Sequence, residues 1–201
     1  MKNILYLASK SFSRKELLRK AGIPFVVINQ DADETRCDWN QQLQKVVETI
    51  AIHKMNHAIM PHVKEDAVAF VVTADTLSVD ATGAISGKPT DFQDAIAKIK
   101  AARGGVNFCG TAFCLERRRY KNGIWETEAQ IVKFVHAEYY FEVPDEFIRD
   151  YIKHSGALEA AGAITIEDGP QYLKSVSGSY SAIVGLPMYE LWQALTELGF
   201  F

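Results

Sequence analysis

The chain has 201 residues, 48% of them hydrophobic, and a formal net charge of −3 at pH 7. A chain of this length can bury one sizeable core, which favours a single domain over residues 1–201 or two closely joined lobes. A slightly acidic protein creates no global positive field, which argues against nucleic acid or an anionic membrane as a partner. Any anionic substrate must therefore be held by local basic groups.

Cysteine use and the N-terminal segment both bear on the compartment. The three cysteines form no C-x-x-C pair, so the sequence predicts no disulfide framework: Cys37, Cys109 and Cys114. The first apolar run ends at Ala8, which is too short for a signal peptide or a membrane span. We therefore expect a protein of the reducing cytoplasm.

The hydrophobic pattern alternates between strands and helices in the first half of the chain. It predicts strands over 4–8, 25–28 and 67–74, and helices over 14–21 and 41–60. A helix over 91–102, capped by Thr90, precedes a hairpin of strands 107–115 and 124–134 with a basic turn between them. Two more helices are predicted over 144–154 and 187–199. This order predicts a mixed α/β sheet flanked by helices.

Hydroxyl and basic side chains lie between the first predicted strand and the first helix, where residues 7–18 read LASKSFSRKELL. The N-terminus of a helix presents free N–H groups and the positive end of the helix dipole, so this segment is suited to binding phosphate. A helix capped by Ser11 or Ser13, with solvated cations, explains the same residues about equally well.

Two further positions carry candidate chemistry. Asp75 follows the most apolar predicted strand, and the carboxyl ends of buried strands are where open α/β sheets bind ligands; capping of a turn is the alternative. Lys88 lies in Gly87-Lys88-Pro89-Thr90, which fails as a Walker A motif because of its spacing and its proline. Lys88 is either a point charge for phosphate or an exposed lysine beside a turn.

These segments, in their order along almost the whole chain, resemble the Maf family. The pieces that carry the resemblance are Ser9, Ser11, Arg14 with 16–18, Asp33-Glu34, Lys54, Ala74-Asp75-Thr76, Gly87-Lys88-Pro89, Thr111, Ala161-Gly162, and Gly178-Ser179-Tyr180 through 184–187. The sequence departs from the family pattern at Phe12, Ser13, Asn107 and Ala160.

The resemblance implies an α/β fold of two lobes with a central cleft, often as a homodimer, and hydrolysis of nucleoside triphosphates between the α- and β-phosphates. It implies that Asp75 accepts a proton or binds a metal, and that Glu34 and Asp75 hold Mg²⁺ or Mn²⁺. The remaining substrate-binding positions that it implies are Ser9, Ser11, Arg14, Lys54 and Lys88. Phosphoryl transfer needs charge neutralisation and positioning, which fits this set.

Three positions that the family links to the base give conflicting indications. Thr76 resembles the branch acting on dTTP and UTP, Glu167 together with Ala160 resembles the branch acting on 7-methyl-GTP, and Ser13 matches neither. A carboxylate can accept hydrogen bonds from guanine and attract a methylated, cationic purine. We therefore predict that 7-methyl-GTP or a related modified purine triphosphate is cleaved faster than dTTP or UTP.

Two other functions remain open at this point. A catalytically weak, Maf-like nucleotide-binding protein with a regulatory role is favoured by the departures at Phe12, Ser13 and Asn107. An RNA-binding module is suggested by the basic and aromatic residues over 117–121, for which a solvated hairpin turn is the simpler explanation.

Overall fold

Seven strands form an open mixed sheet flanked by helices in a computed structural model that describes residues 3–201, apart from the Arg36 side chain. The strands are β1 (Leu5–Leu7), β2 (Phe25–Val27), β3 (Val68–Val79), β4 (Ile85–Ser86), β5 (Asn107–Lys121), β6 (Ile124–Phe141) and β7 (Leu173–Gly178). The helices are α1 (Phe12–Lys20), α2 (Leu43–Asn56), α3 (Phe92–Ala101), α4 (Ile148–His154), α5 (Tyr180–Val184) and α6 (Met188–Glu197).

The strand order is β2-β1-β3-β5-β6-β7, with β4 paired to β3. Strand β1 lies parallel to both β2 and β3. Strand β4 lies antiparallel to β3, and β7 lies antiparallel to β6. The prediction of a mixed sheet flanked by helices is confirmed. Within residues 3–201 no helix is both long enough and apolar enough to cross a membrane. The cleft, the single domain, the homodimer and the cytoplasmic location stay predictions.

The chain divides into two compact units. The first comprises Met1–Asp75, Ala112–Phe134 and Gly185–Phe201, and the second comprises Thr76–Thr111 and Val135–Val184. In the first unit, alternate residues of β3 face opposite sides of the sheet. Phe70, Val72 and Ala74 join a core with residues of α1 and α6. Thr73 and Asp75 bond to residues of α2, which therefore covers the other face.

The core of the second unit is built around α3, α4 and the second half of β6. Ile99, Tyr139, Phe141 and Ile152 are among its buried members. Asp91, one residue after the predicted Thr90, caps α3 by accepting hydrogen bonds from the backbone N–H groups of residues 93 and 94. Sequence reasoning missed β4, β7 and α5, which have only two, six and five residues and are too short to show a clear hydrophobic period.

Besides the end of β6 at Phe141 and the start of α4 at Ile148, three predicted boundaries were wrong. Strand β3 continues through Asp75 to Val79, so Asp75 lies inside the strand instead of after it, three residues beyond the point where β1 ends its pairing. Helix α2 ends at Asn56 because the following residues pair with the segment after β2, where Gln30 forms a bridge with Ala58.

The hairpin turn is the third wrong boundary. Residues 117–121 belong to β5, and the two-residue turn is Asn122-Gly123, with φ of 52° and 82°. Positive φ at both central positions gives the twist that a two-residue hairpin needs, and Asn-Gly is the sequence that accommodates it most readily.

Candidate active site

An ion cluster of three predicted site residues lies in the first unit. The Lys54 ammonium nitrogen is 2.7 Å from Asp75 Oδ1 and 3.0 Å from Glu34 Oε1. The Lys54 and Asp75 side chains are 10% and 9% exposed, whereas that of Glu34 is 42% exposed. We call Glu34, Lys54 and Asp75 the acidic-lysine cluster. It places one cation between two carboxylates at the border of the protein interior.

Each member of the cluster is positioned by a different element. Lys54 lies in the last turn of α2, Asp75 lies in β3, and Glu34 begins a short 3-10 turn after the cap residue Asp33. The ring nitrogen Nε2 of His53 lies 3.2 Å from the Asp33 carbonyl oxygen, which brings the residues next to Lys54 and Glu34 together.

Asp75 retains one carboxylate oxygen that its protein neighbours do not use. Oδ1 accepts from Lys54, while Oδ2 is buried without a hydrogen-bond partner among the described residues. A buried acceptor without a partner is costly, and such an atom is a recognised mark of a functional site. Oδ2 is therefore the atom on which a water, a metal ion or a substrate group would bind.

The start of α1 adjoins this cluster through the backbone of β3. Arg14 donates from Nη1 to the carbonyl of Ala74, the residue before Asp75, at 2.8 Å, and from Nε to the carbonyl of Gly185 at 2.7 Å. Ser9 Oγ accepts from the Ser11 backbone N–H and from Arg14, at 3.2 and 3.3 Å. Ser11 caps α1 by accepting from the Arg14 backbone N–H.

Both readings of this segment thus find support in the geometry. Ser11 is the helix cap, as the structural alternative predicted, and Arg14 is a cation fixed on backbone carbonyls. Each serine hydroxyl still has its own hydrogen to donate, and the N-terminus of α1 is a site that favours an anion. Ser13, half-buried in the first turn of α1, belongs to the same segment.

The electrostatic effect of the cluster is visible at Cys37. Burial raises the pKa of the Cys37 thiol, the negative charges of Glu34 and Asp75 raise it further, and Lys54 lowers it. All three cysteines carry free thiols. The Cys37 thiol thus reports on the charges of the acidic-lysine cluster.

The other predicted site residues lie in the second unit. Thr76 shares a hydrogen bond of 2.9 Å between hydroxyl oxygens with Thr111, which donates to the Ala182 carbonyl. Glu167 is exposed, and its charge contributes, after burial, to raising the pKa of the Tyr180 hydroxyl. The base contact of Glu167 stays a prediction.

Lys88 lies on the surface of this second unit. Its ammonium is 3.0 Å from Glu159 Oε2. The preceding backbone is fixed, because the Gly162 N–H donates to the Gly87 carbonyl at 3.0 Å. Gly162 has φ of 65°, and a Cβ there would lie 3.1 Å from Ser78 Cβ. This conformation and close approach explain why the Ala161-Gly162 pair needs a glycine.

The three arginines of the basic run on β5 form ion pairs with two carboxylates of their own unit. Arg117 and Arg119 both pair with Glu128, at 3.2 and 2.5 Å, and Arg118 pairs with Glu116 at 2.5 Å. These pairs fit the structural explanation of the run as part of a hairpin. Sequence reasoning missed Glu116, a buried carboxylate that accepts three side-chain hydrogen bonds.

Asn107, one of the departures from the family pattern, has a structural role. Its side-chain amide is buried and donates to the Ala102 carbonyl at the end of α3, at 2.8 Å. This bond satisfies one of the carbonyl groups that a helix leaves without an intrahelical partner. The departure at Asn107 therefore does not by itself indicate a loss of activity.

The oxygen donors of the cluster fit a hard cation. Among the described residues no group of three or more histidine, cysteine, aspartate or glutamate side chains could by itself hold a metal ion. Mg²⁺ keeps several waters and is held by one or two carboxylates plus substrate phosphates, so it does not require such a group. Glu34 and the unpartnered Oδ2 of Asp75 match that requirement.

The sequence of this chain matches one protein family over nearly its whole length. The family described as "Maf-like protein" matches residues 4–198. A dTTP/UTP pyrophosphatase of Geobacter sp. (strain M21) is 34% identical over 201 residues, covering 99% of this chain and 98% of the relative. One of Ruminiclostridium cellulolyticum (strain ATCC 35319 / DSM 5812 / JCM 6584 / H10) is 32% identical, covering 98% and 97%. A third, of Xanthomonas euvesicatoria pv. vesicatoria (strain 85-10), is 30% identical, covering 98% and 99%. Because the match extends over nearly the whole chain, this protein belongs to the Maf family.

Proposed function

We propose that this protein hydrolyses nucleoside triphosphates between the α- and β-phosphates, giving a nucleoside monophosphate and pyrophosphate. The observation that carries the proposal is the buried Lys54 held between two carboxylates, with one Asp75 oxygen left without a partner. The names of the relatives, each a dTTP/UTP pyrophosphatase, support the same reaction class. A non-catalytic regulatory role finds no support in those names.

In this proposal, each site residue of the first unit has a different role. Asp75 Oδ2 accepts a hydrogen bond from the attacking water and takes up its proton, because a general base must lie within hydrogen-bond reach of that proton. Lys54 holds Asp75 in place through Oδ1 and adds positive charge beside the reacting phosphate. The N-terminus of α1, with Ser9, Ser11 and the Arg14 cation, binds a phosphate group.

A divalent ion completes the charge balance. Glu34 would hold Mg²⁺ or Mn²⁺, whose role is to neutralise charge on the phosphate oxygens. In the alternative role for Asp75, Oδ2 would bind this metal instead of the attacking water. Because two carboxylates already share Lys54, the cluster carries one net negative charge when all three groups are ionised. That net charge favours a cation between the protein and a triphosphate.

Two indications of the preferred base disagree. The names of the relatives favour dTTP and UTP as substrates of this chain as well. The exposed Glu167 carboxylate favours 7-methyl-GTP or a related modified purine triphosphate, and that preference stays a prediction. The ratio of catalytic efficiencies on the two nucleotide types decides between them, because discrimination is a difference in transition-state binding.

The test of the reaction is pyrophosphate release from a panel of nucleoside triphosphates by the purified protein. We expect Asp75→Asn to lower turnover by roughly two to four orders of magnitude, because the proton acceptor is lost. Excess chelator should abolish activity, and Mg²⁺ or Mn²⁺ should restore it. Asp150→Asn, a change at an exposed aspartate of α4, is the control and should leave turnover unchanged. Full activity of Asp75→Asn would refute the role of Asp75, and full activity in chelator would refute the role of the metal.

A further inference from the structure

Two side chains bind backbone carbonyls of α2 on either side of Lys54. The Thr73 hydroxyl donates to the carbonyl of Ala51 at 2.7 Å, and Arg118 Nη2 donates to the carbonyl of Met55 at 3.1 Å. Ala51 lies one turn before Lys54 and Met55 directly follows it. Both bonds are therefore made within one helical turn of the lysine.

Thr73 is coupled to Asp75 by the geometry of β3. The two residues are separated by one position, so their side chains lie on the same face of the strand. Thr73 is fully buried and reaches the helix one turn away from the place where Asp75 reaches Lys54. Hydrogen bonds of α2 with Thr73 and with Asp75 thus fix the helix against β3 at two points one turn apart.

Arg118 is held by a network of its own on β5 and β6. Its Nε donates to Glu116 Oε2 at 2.5 Å. Glu116 also accepts from Thr127 Oγ1 at 2.9 Å and from Gln130 Nε2 at 2.6 Å. The guanidinium therefore reaches the Met55 carbonyl from a fixed position, because the buried carboxylate that orients it is itself held by two other donors.

The position of Lys54 depends on the exact register of α2. Moving a helix by one residue shifts it by about 1.5 Å and rotates it by about 100°. The apolar face that α2 buries opposes a slip of a whole residue, because a rotation of about 100° would turn that face out of the core. Hydrophobic attraction is non-directional, however, so it does not by itself fix the finer register, which is the position of the helix to within a fraction of a residue. Hydrogen bonds to backbone carbonyls are directional, and here they join the helix to the strand that carries Asp75.

We propose that Thr73 and Arg118 are positioning residues that set the register of α2, so that the Lys54 ammonium lies between Glu34 and Asp75. The predicted change in kcat rests on the proposed function, whereas the positioning of the helix does not. Neither residue touches the reacting groups. Both act through the backbone of the helix that carries the lysine.

Two substitutions at Thr73 separate the effect of its hydroxyl from the effect of its packing. Thr73→Val keeps the size and shape of the side chain and removes the donor, whereas Thr73→Ser keeps the donor and removes a methyl group. We expect Thr73→Val to lower kcat by about 10- to 100-fold, the effect of a misplacement of about 1 Å, with KM changed less than about threefold. Thr73→Ser should stay within about threefold of the wild type.

The matched control is Tyr139→Phe in the second unit. Tyr139 is buried, and its hydroxyl shares a hydrogen bond of 2.8 Å with Ser78. The variant therefore loses one buried hydroxyl, as Thr73→Val does, without touching α2. We expect it to keep the kcat of the wild type.

A second measurement is independent of catalysis. Hydrogen exchange, followed by mass spectrometry on peptides covering the last turn of α2, should be faster in Thr73→Val than in the wild type, Thr73→Ser or Tyr139→Phe. Equal exchange in all four proteins would overturn the proposal, and so would a Thr73→Ser variant as impaired as Thr73→Val. If the wild type releases no pyrophosphate from any nucleotide, the proposed function fails, and the exchange comparison alone decides whether Thr73 fixes α2.

Discussion

Removing the Lys54 ammonium should destabilise the protein more than removing the charge of its partner. Lys54→Met keeps the unbranched aliphatic stem and deletes the cation, which leaves Asp75 with a buried charge and no cationic partner. Asp75→Asn leaves Lys54 its second partner, Glu34, at 3.0 Å. The two single variants therefore differ in whether a buried charge is left alone.

The size of the effect follows from burial. Breaking a buried ion pair by removing one partner costs about 3–5 kcal/mol, because the remaining charge stays desolvated. For a chain of this size that is a fall in Tm of roughly 6–20 °C. Lys54→Met combined with Asp75→Asn carries no isolated buried charge, so it should recover most of that loss. Asp75→Asn alone should cost about 1–2 kcal/mol, the range of one buried hydrogen bond.

Urea unfolding of the four proteins at pH 7, fitted with a shared m-value, measures these differences as a double-mutant cycle. The coupling free energy between the two positions should exceed about 1 kcal/mol. A double variant no more stable than Lys54→Met, or a loss below about 1 kcal/mol in Lys54→Met, would show that the pair is not the buried, coupled unit described above.

Three further outcomes are expected. Lys88→Ala should lower kcat/KM by about one to two orders of magnitude, because developing phosphate charge is left uncompensated, whereas an exposed lysine without a role would give no change. Iodoacetamide labelling of Cys37 at pH 8 should be faster in Glu34→Gln, because removing a charge that raises the thiol pKa increases the thiolate fraction. Labelling should be slower in Lys54→Met, because the lysine charge lowers that pKa. Faster labelling in both variants would indicate that access to the thiol has changed instead of its charge environment. Glu167→Gln should lower the ratio of kcat/KM for 7-methyl-GTP to that for dTTP, and an unchanged ratio would assign the base preference to another contact.

The limits of sequence reasoning are clearest along β3. The apolar composition of its first half identified the strand, but three later polar residues led to the wrong C-terminal boundary: Asp75, Thr76 and Ser78. These side chains bond to Lys54, Thr111 and Tyr139, which lie far away in the sequence. Their place in the strand is thus decided by tertiary partners, which local hydropathy does not contain.

Other features of the structure are predictable from local sequence patterns. Lys54 continues the buried stripe of Val47, Ile50 and Ala51 at helical spacing, and a lysine on an apolar stripe indicates a buried cation with a partner. The Asn122-Gly123 pair marks a two-residue hairpin turn and would have placed Glu116 inside β5. The assignment of Lys54, Glu34 and Asp75 to one site came from the family resemblance, because no local pattern joins them.

The two lysines of the proposed site differ in how firmly they are held. Lys54 is 10% exposed and is fixed between its carboxylates, so its charge is in place before any substrate arrives. Lys88 and Glu159 are 62% and 82% exposed, and a pair of that kind contributes about 0–1 kcal/mol. A triphosphate carries more negative charge than one carboxylate, so it can replace Glu159 as the partner of Lys88 at little cost. Lys54 is therefore held in place beside Asp75 by the fold of the first unit, whereas Lys88, on the surface of the second unit, is held only by an exposed ion pair and is able to reorient.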